Sequence, residues 1–370
     1  MIGTIYKKII KPILFHFPAD DVHVFFLKTG NFLGKYSFSK SITEKIFSYK
    51  NDILKQNVSG ISFANPVGLS AGFDYDADLI DILPSVGFGY HTIGTVTNLP
   101  YEGNTRPMLG RLPKSKSLLV NKGFKSMGME SVLKKINKRE KKVPLGISIG
   151  ATNTSYKDID EMVEDILVSF NRVLSENYFD YFELNISCPN LINSENLKDK
   201  FDQPIGLGIL LNKLYYLKIN KPLFIKMYLE KSVADTLLLA EVADKYSFVK
   251  GLIFSNLVKD RTNPAFDKDE IANAGRGNFS GKPTFELSNN LIDAVYKKYK
   301  DRFIIIGCGG IFTGADAYEK IKRGATLVQM ITGMVYEGPS VIGSINKELA
   351  ELLKKDGYKN IKEAVGSWGK

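Results

Sequence analysis

Cysteine, histidine and tryptophan are close to missing from this chain of 370 residues, which holds two, three and one of them. Cys188 and Cys308 follow no metal-ligand spacing and are too few for a disulfide framework, so free thiols in a reducing compartment are expected. His16, His23 and His91 are too scattered for a histidine-rich centre, and no metal is expected. Long apolar runs are absent as well. No stretch reaches the roughly 18 apolar residues of a spanning helix. The opening MIGTIYKKIIKPILFHF is broken by Lys7, Lys8, Lys11 and Pro12, which also denies it the uninterrupted core of a secretory signal. Neither a transmembrane helix nor a signal peptide is expected. The formal charge is +10, yet the lysines are spread along the chain with no compact basic motif interleaved with aromatics. A nucleic-acid partner is therefore not expected, and the basic balance fits an anionic membrane surface or an anionic substrate.

What is present is an ordinary globular composition, 44% hydrophobic and 24% charged, with no evident repeat. Residues 1–50 stand apart from the remainder. Val22, Phe25, Phe26 and Leu33 recur at helical spacing, as do Ile42, Ile46 and Phe47 with Lys40 and Lys45 between them. The pattern predicts two or three short amphipathic helices. They could pack on the main domain, or form a cap whose apolar face rests in a lipid interface.

From about residue 58 the rhythm changes. Short apolar β-type runs at 67–71, 91–96, 145–149, 181–186, 223–227, 251–255, 303–306 and 327–331 alternate with helical patterns at 76–86, 125–137, 158–176, 205–217, 232–246, 284–299, 314–323 and 340–353. Eight strand–helix units over residues 51–370 predict a (β/α)₈ TIM barrel carrying a small N-terminal helical extension. A doubly wound sheet would require a turn of the type G-x-G-x-x-G after its first strand. The segment there is SAGFDYDAD, with a single glycine.

In such a barrel the chemistry sits at the C-terminal ends of the strands. The residues there are small, amide or hydroxyl-bearing: Ala71-Gly72, Thr95 and Thr97, Asn153, Asn185, Lys226, Ser255-Asn256, Gly309-Gly310 and Thr332-Gly333. They suit a polar, planar ligand. GCGGIFTGADA and QMITGMVYEGPS each set glycine at a strand end just before a helix. Glycine admits a phosphate to backbone N–H groups, and a helix N-terminus favours an anion; the plainer function of these glycines is tight turning. Lys226 ends an apolar strand, where it escapes to solvent, pairs with a carboxylate or lends a fixed positive charge to a flavin ring. In Asn185-Ile186-Ser187-Cys188-Pro189-Asn190 the amides can bind a heterocycle. Cys188 is either a buried filler or a thiolate base. Cys308 reads as structural.

In order along the chain, NPVGLSAGFD, TIGTVTNLPYEGNTRPMLGRL, FELNISCPN, GRGNFSGKP, IIIGCGGIFTGADAYEKI and GATLVQMITGMVYEGP resemble the signatures of the dihydroorotate dehydrogenases, nearly end to end. The resemblance implies FMN as cofactor, with contacts at Ala71, Gly72, Thr95, Asn153, Asn185, Lys226, Ser255, Gly281, Gly310, Ile331 and Thr332. It implies orotate-type contacts at Asn121, Asn185, Asn190 and Asn256, and Cys188 as the base. The N-terminal extension is similar to that of the membrane-associated, quinone-using class. That similarity makes His23 and Arg111 tunnel residues and sets the protein at a membrane periphery, on the cytoplasmic side of the inner membrane if the source is bacterial.

The chain also departs from the family pattern. The quinone-using class has serine where this chain has Cys188. A lysine that touches flavin and substrate is replaced by Tyr75, and a hydroxyl residue after Asn256 by Leu257. The loop after Asn121 is one residue shorter, and LINSENLKDKFDQPIG replaces a PGLR stretch. Lys122 or Lys125 could restore the lost cation. Three readings follow: oxidation of dihydroorotate to orotate with electrons passed to a quinone; an FMN enzyme of the same fold acting on another cyclic substrate; and a flavin-free barrel that binds a phosphorylated metabolite or serves as a membrane-surface scaffold.

Overall fold

The computed structural model describes residues 2–137, 139, 141–187 and 200–369. The chain begins with three helical stretches, Ile2–Ile5, Tyr6–Ile10 and Lys11–Phe15, that run on without a break. Pro12 has no N–H to give the preceding turn, and that turn takes the wider π form. Two longer helices follow, Ala19–Gly34 and Ser37–Phe47. Asp20 and Asp21 stand in the first turn of Ala19–Gly34, where acids favour the helix dipole.

Next comes a hairpin of β1 (Gln56–Val58) and β2 (Ile61–Phe63), turned at Ser59-Gly60 with both residues at positive φ. Then run β3 (Val67–Leu69), β4 (Tyr90–Val96), β5 (Leu109–Leu112), β6 (Ser117–Val120), β7 (Leu145–Ile149), β8 (Tyr181–Asn185), β9 (Leu223–Met227), β10 (Val249–Phe254), β11 (Asn278–Phe279), β12 (Ile304–Cys308) and β13 (Leu327–Met330). Eight of these close a parallel barrel in the order β10-β12-β13-β3-β4-β7-β8-β9. All eight fall on the apolar runs of the sequence, and the TIM-barrel expectation holds.

The barrel floor is aromatic. Phe63, Tyr90, Tyr181 and Phe224 interlock edge to face, with the hairpin residues Val58 and Phe63 closing the bottom. Small residues face the rings: a Cβ on Gly68 would lie 2.3 Å from the Tyr90 ring. The buried phenols are satisfied, Tyr90 Oη donating to Val328 O at 2.9 Å and Tyr181 Oη lying 2.7 Å from Thr92 Oγ1. A second apolar layer lies between strands and helices.

One local expectation does not hold. The helix read over 76–86 is reduced to Leu83–Val86. The Asp74 carboxylate accepts the N–H groups of Asp78 (2.7 Å) and Leu79 (3.0 Å), and Ala77 takes a positive φ. Local side-chain bonding thus outcompetes helix there. An antiparallel sheet, β11-β6-β5, which no local pattern in the sequence announces, stands beside the barrel.

Candidate active site

One cavity of about 470 Å³ opens over the C-terminal ends of the strands and runs beneath the N-terminal helices. Its walls are largely apolar under the helices, with Leu14, Phe15, Val22 and Phe26, and polar at the strand ends. Of the residues singled out from sequence, Ala71, Gly72, Thr95, Asn185, Lys226, Ser255, Asn256, Gly281, Gly310, Ile331 and Thr332 line it, together with His23, Arg111, Tyr75 and Leu257. Cys188 and Asn190 lie outside the described residues.

Asn121 and Asn153 are not among the cavity-lining residues. They belong to an amide cluster behind the wall. Asn104 Nδ2 donates to Asn121 Oδ1 at 2.9 Å, and Asn153 Nδ2 donates to Gly123 O at 2.9 Å. Both are buried. They brace the 121–124 loop instead of presenting amides to a ligand in this conformation.

At one end of the cavity Gly309 and Gly310 turn with φ of 96° and 70°, and a Cβ on either would strike Thr284 or Phe285 within 2.5 Å. This corrects one detail of the sequence reading. The helix Gly314–Arg323 does not offer its N-terminus to an anion. Glu348 already accepts the N–H groups of Gly314 (2.7 Å) and Ala315 (3.2 Å), and Asp316 accepts those of Phe312 and Thr313 (both 2.9 Å). An anion here meets the Gly309-Gly310 turn and the first residues of Thr332–Glu337, whose leading N–H groups have no intrahelical partner. Ser280 Oγ and Thr332 Oγ1 stand 2.8 Å apart on the same wall.

At the other end a polar chain crosses the barrel beneath the mouth. Asn185 Nδ2 donates to Thr95 Oγ1 (2.8 Å), Thr95 Oγ1 lies 3.0 Å from Ser148 Oγ, and Ser148 Oγ donates to Glu183 Oε1 (2.7 Å). Lys226 Nζ lies 3.6 Å from the same carboxylate oxygen. Glu183 was missed in the sequence: a carboxylate flanked by Phe182 and Leu184 gives no periodic signal of facing inward. Asn256 Nδ2 donates to the backbone oxygen of Ser187 and, at 2.7 Å, to its Oγ. Asn256 therefore steadies the segment that leads into Cys188. Cys308, read as structural, is buried but also borders the cavity.

The helices bring their own polar pair. His23 Nε2 donates to Phe73 O at 2.8 Å, which leaves Nδ1 facing Lys122 Nζ at 3.3 Å. Burial, then the nearby Lys122 charge, push the His23 imidazole down to about 3, so it is neutral. Arg111 Nη1 donates to Phe17 O at 2.8 Å and its guanidinium lies 4.5 Å from the Phe15 ring. Burial lowers the Arg111 pKa from its ordinary value. Among the described residues no group of three or more His, Cys, Asp or Glu side chains is arranged to hold a metal ion.

The residues suit a planar ring that carries a phosphate. A Cβ on Gly72 would meet only Ile331 Cδ1, at 3.6 Å, so the glycine leaves open a gap on the wall that a planar ring can fill. The glycine turn suits the phosphate, and Lys226 supplies a buried cation at the far side.

Fold and site together define a TIM barrel with a helix-capped, anion-receptive cavity at its mouth, the layout of a nucleotide-type cofactor enzyme. Residues 53–353 match the dihydroorotate dehydrogenase family model, and the chain belongs to that family. It is 35% identical over 350 residues to the dihydroorotate dehydrogenase (quinone) of Christiangramia forsetii, covering 94% of this chain and 99% of the relative. It is 33% identical to that of Trichodesmium erythraeum, covering 98% of each chain. The crystal structure of DHODH from Eimeria tenella in complex with ferulenol superposes with a TM-score of 0.76 at 26% identity, covering 90% of this chain and 95% of that one.

Proposed function

We propose that this protein oxidises dihydroorotate to orotate, a step of pyrimidine biosynthesis, with FMN as cofactor and a quinone as final electron acceptor. The observation that carries the reading is a continuous cavity that joins the polar strand ends to the apolar space under the N-terminal helices. A polar substrate and a lipid-soluble acceptor can address the same cofactor from its two ends.

Bound FMN supplies the hydride acceptor for the substrate's C6 hydrogen. The protein's own residues do the rest. Cys188 removes the C5 proton. Asn185, Asn190 and Asn256 hold the pyrimidine ring, with Asn121 behind them, and fixed orientation contributes much of the rate. Lys226 keeps a positive charge beside the cofactor, where negative charge accumulates on reduction. Ala71, Gly72, Thr95, Ser255 and Ile331 bound the ring system, with Asn153 behind them in the amide cluster. Gly281, Gly310 and Thr332 bound the phosphate. His23 and Arg111 serve the quinone end.

We take residues 1–50 as a cap and 51–370 as the FMN-binding barrel. The cap exposes Ile9, Ile13, Phe17, Phe25, Phe32 and Phe38 beside Lys7, Lys8 and Lys28. Exposed apolar side chains with basic neighbours suit a peripheral seat on an anionic membrane. Among the described residues no helix is long and apolar enough to cross a membrane.

A second reading, the same chemistry on another cyclic substrate, draws on Leu257 and Tyr75, which give the cavity an apolar and a phenolic wall. Anaerobic titration decides. Bleaching of the yellow band by dihydroorotate, with recolouring by a quinone, is expected. A yellow protein that stays oxidised, with no spectral response to millimolar orotate, supports the second reading instead.

A further inference from the structure

The loop after β6 carries two lysines, Lys122 and Lys125, and buries one of them. Lys125 is spoken for: its Nζ donates to Glu102 O (2.8 Å) and lies 3.3 Å from Glu102 Oε2. Lys122 differs. Its side chain is buried at the cavity wall, 7% exposed, with Nζ 4.3 Å from the centre of the Tyr75 ring. Its hydrogen-bond neighbour is a neutral lone pair, His23 Nδ1, held in that tautomer by the bond from Nε2 to Phe73 O. Among the described residues no carboxylate lies within ion-pair reach of Lys122. Asp20 favours its charge from farther off, but Asp20 Oδ2 is engaged by the N–H groups of Met108 (3.0 Å) and Leu109 (3.2 Å).

We infer that Lys122 receives the carboxylate of the substrate, replacing in space the cation that Tyr75 removes from its own position. This rests on the reading of the cavity as a dihydroorotate site. A buried cation supported only by a π face and an imidazole lacks a counter-charge, and a bound carboxylate supplies one. A quinone carbonyl is neutral and does not. Facing groups set the balance at Lys122: burial pushes its amine down to about 7, Asp20 favours its charge, and Lys125 and Arg106 oppose it, while Tyr75 and His23 are neutral partners. The anion therefore draws a proton onto Lys122 as it binds.

The test uses the FMN-loaded full chain, with orotate binding followed by the flavin spectrum and by calorimetry in buffers of differing ionisation enthalpy. At pH 8 the unsubstituted protein is expected to take up close to one proton per orotate bound, and less at pH 6. Lys122→Met should weaken orotate binding roughly 10- to 100-fold and abolish the uptake, a larger change than any in the KM for quinone. Lys122→Arg, which keeps the charge, should recover most of the affinity, and flavin content and Tm report whether each variant is folded. Unchanged orotate affinity in a folded Lys122→Met protein overturns the inference. So does a rise confined to the quinone KM, which would assign the lysine to the acceptor end. If the unsubstituted protein binds no orotate while retaining flavin, the substrate reading itself falls and takes this inference with it.

Discussion

Glu183 and Lys226 face one another from neighbouring strands, carboxylate oxygen 3.6 Å from ammonium, with the acid wholly enclosed and the lysine open only to the cavity. Glu183 Oε1 takes a hydrogen bond from Ser148, while Oε2 has no hydrogen-bond partner among the described residues. The acid therefore offsets part of the positive charge that Lys226 presents upward. Replacing it with a neutral isostere releases that charge. Glu183→Gln should raise the midpoint potential of the bound flavin by on the order of 30 mV, about 1.4 kcal/mol for a two-electron couple. A redox titration against indicator dyes measures it, and an unchanged or lowered potential would show that Lys226 does not act on the cofactor.

The base is tested by separating the two halves of the reaction. Cys188→Ala should slow anaerobic flavin reduction by dihydroorotate about 10²- to 10⁴-fold, the span of general base catalysis. Cys188→Ser should fall between. Reoxidation of reduced flavin by quinone should be unaffected in both. Full activity in both variants would remove Cys188 from the mechanism.

The quinone end is tested in the opposite half. His23→Ala and Arg111→Ala should each raise the KM for quinone about tenfold, equivalent to about 1.4 kcal/mol. Flavin reduction by dihydroorotate should stay within a factor of a few in Arg111→Ala, whereas His23→Ala also removes the neighbour of Lys122 and should slow it further. Stopped-flow traces of each half-reaction decide the matter.

A membrane seat makes a separate prediction. Phe17 and Phe38 are exposed on the cap. Substituting either with Ser should weaken partition onto vesicles containing anionic lipid by about tenfold, the scale of one partly buried aromatic side chain. Turnover with a short-chain, water-soluble quinone should persist. Co-sedimentation unchanged by both substitutions would detach the cap from lipid.

Asp74 gives a stability test. Burial raises its carboxyl, but the neighbouring His91 ring and the N–H groups of Leu79 and Asp78 outweigh burial and hold it below its ordinary value. A depressed folded-state pKa stabilises above the unfolded value and loses that contribution as pH falls below about 4. Asp74→Asn should cost about 1–3 kcal/mol near neutral pH. The gap in Tm between the two proteins should narrow in acid; a gap that is constant down to pH 3 would contradict the account.

The barrel was legible in the sequence because its strands are apolar on both faces, so each appears as a short unbroken run between helical patterns. Strand ends were legible for the same reason, and with them Asn185, Lys226, Ser255 and the paired glycines. What escaped was anything set by contacts distant in sequence. The sheet β11-β6-β5 pairs Phe279 with Leu119, which no local period announces. Glu183 reads as an intrusion in an apolar strand until Ser148 and Lys226 are seen beside it. Asn121 and Asn153 carry the right chemistry, but their amides are drawn into the cluster around Asn104. The helix expected from Asp76 yielded to a single carboxylate, that of Asp74.

Glu348 already occupies the amide groups that open Gly314–Arg323. The protein thus carries its own resident anion a few residues from where the cofactor's phosphate is read to lie. With that competing seat filled, an incoming phosphate has one register to adopt rather than two. Discrimination between neighbouring anion seats is thereby settled during folding, before any ligand arrives.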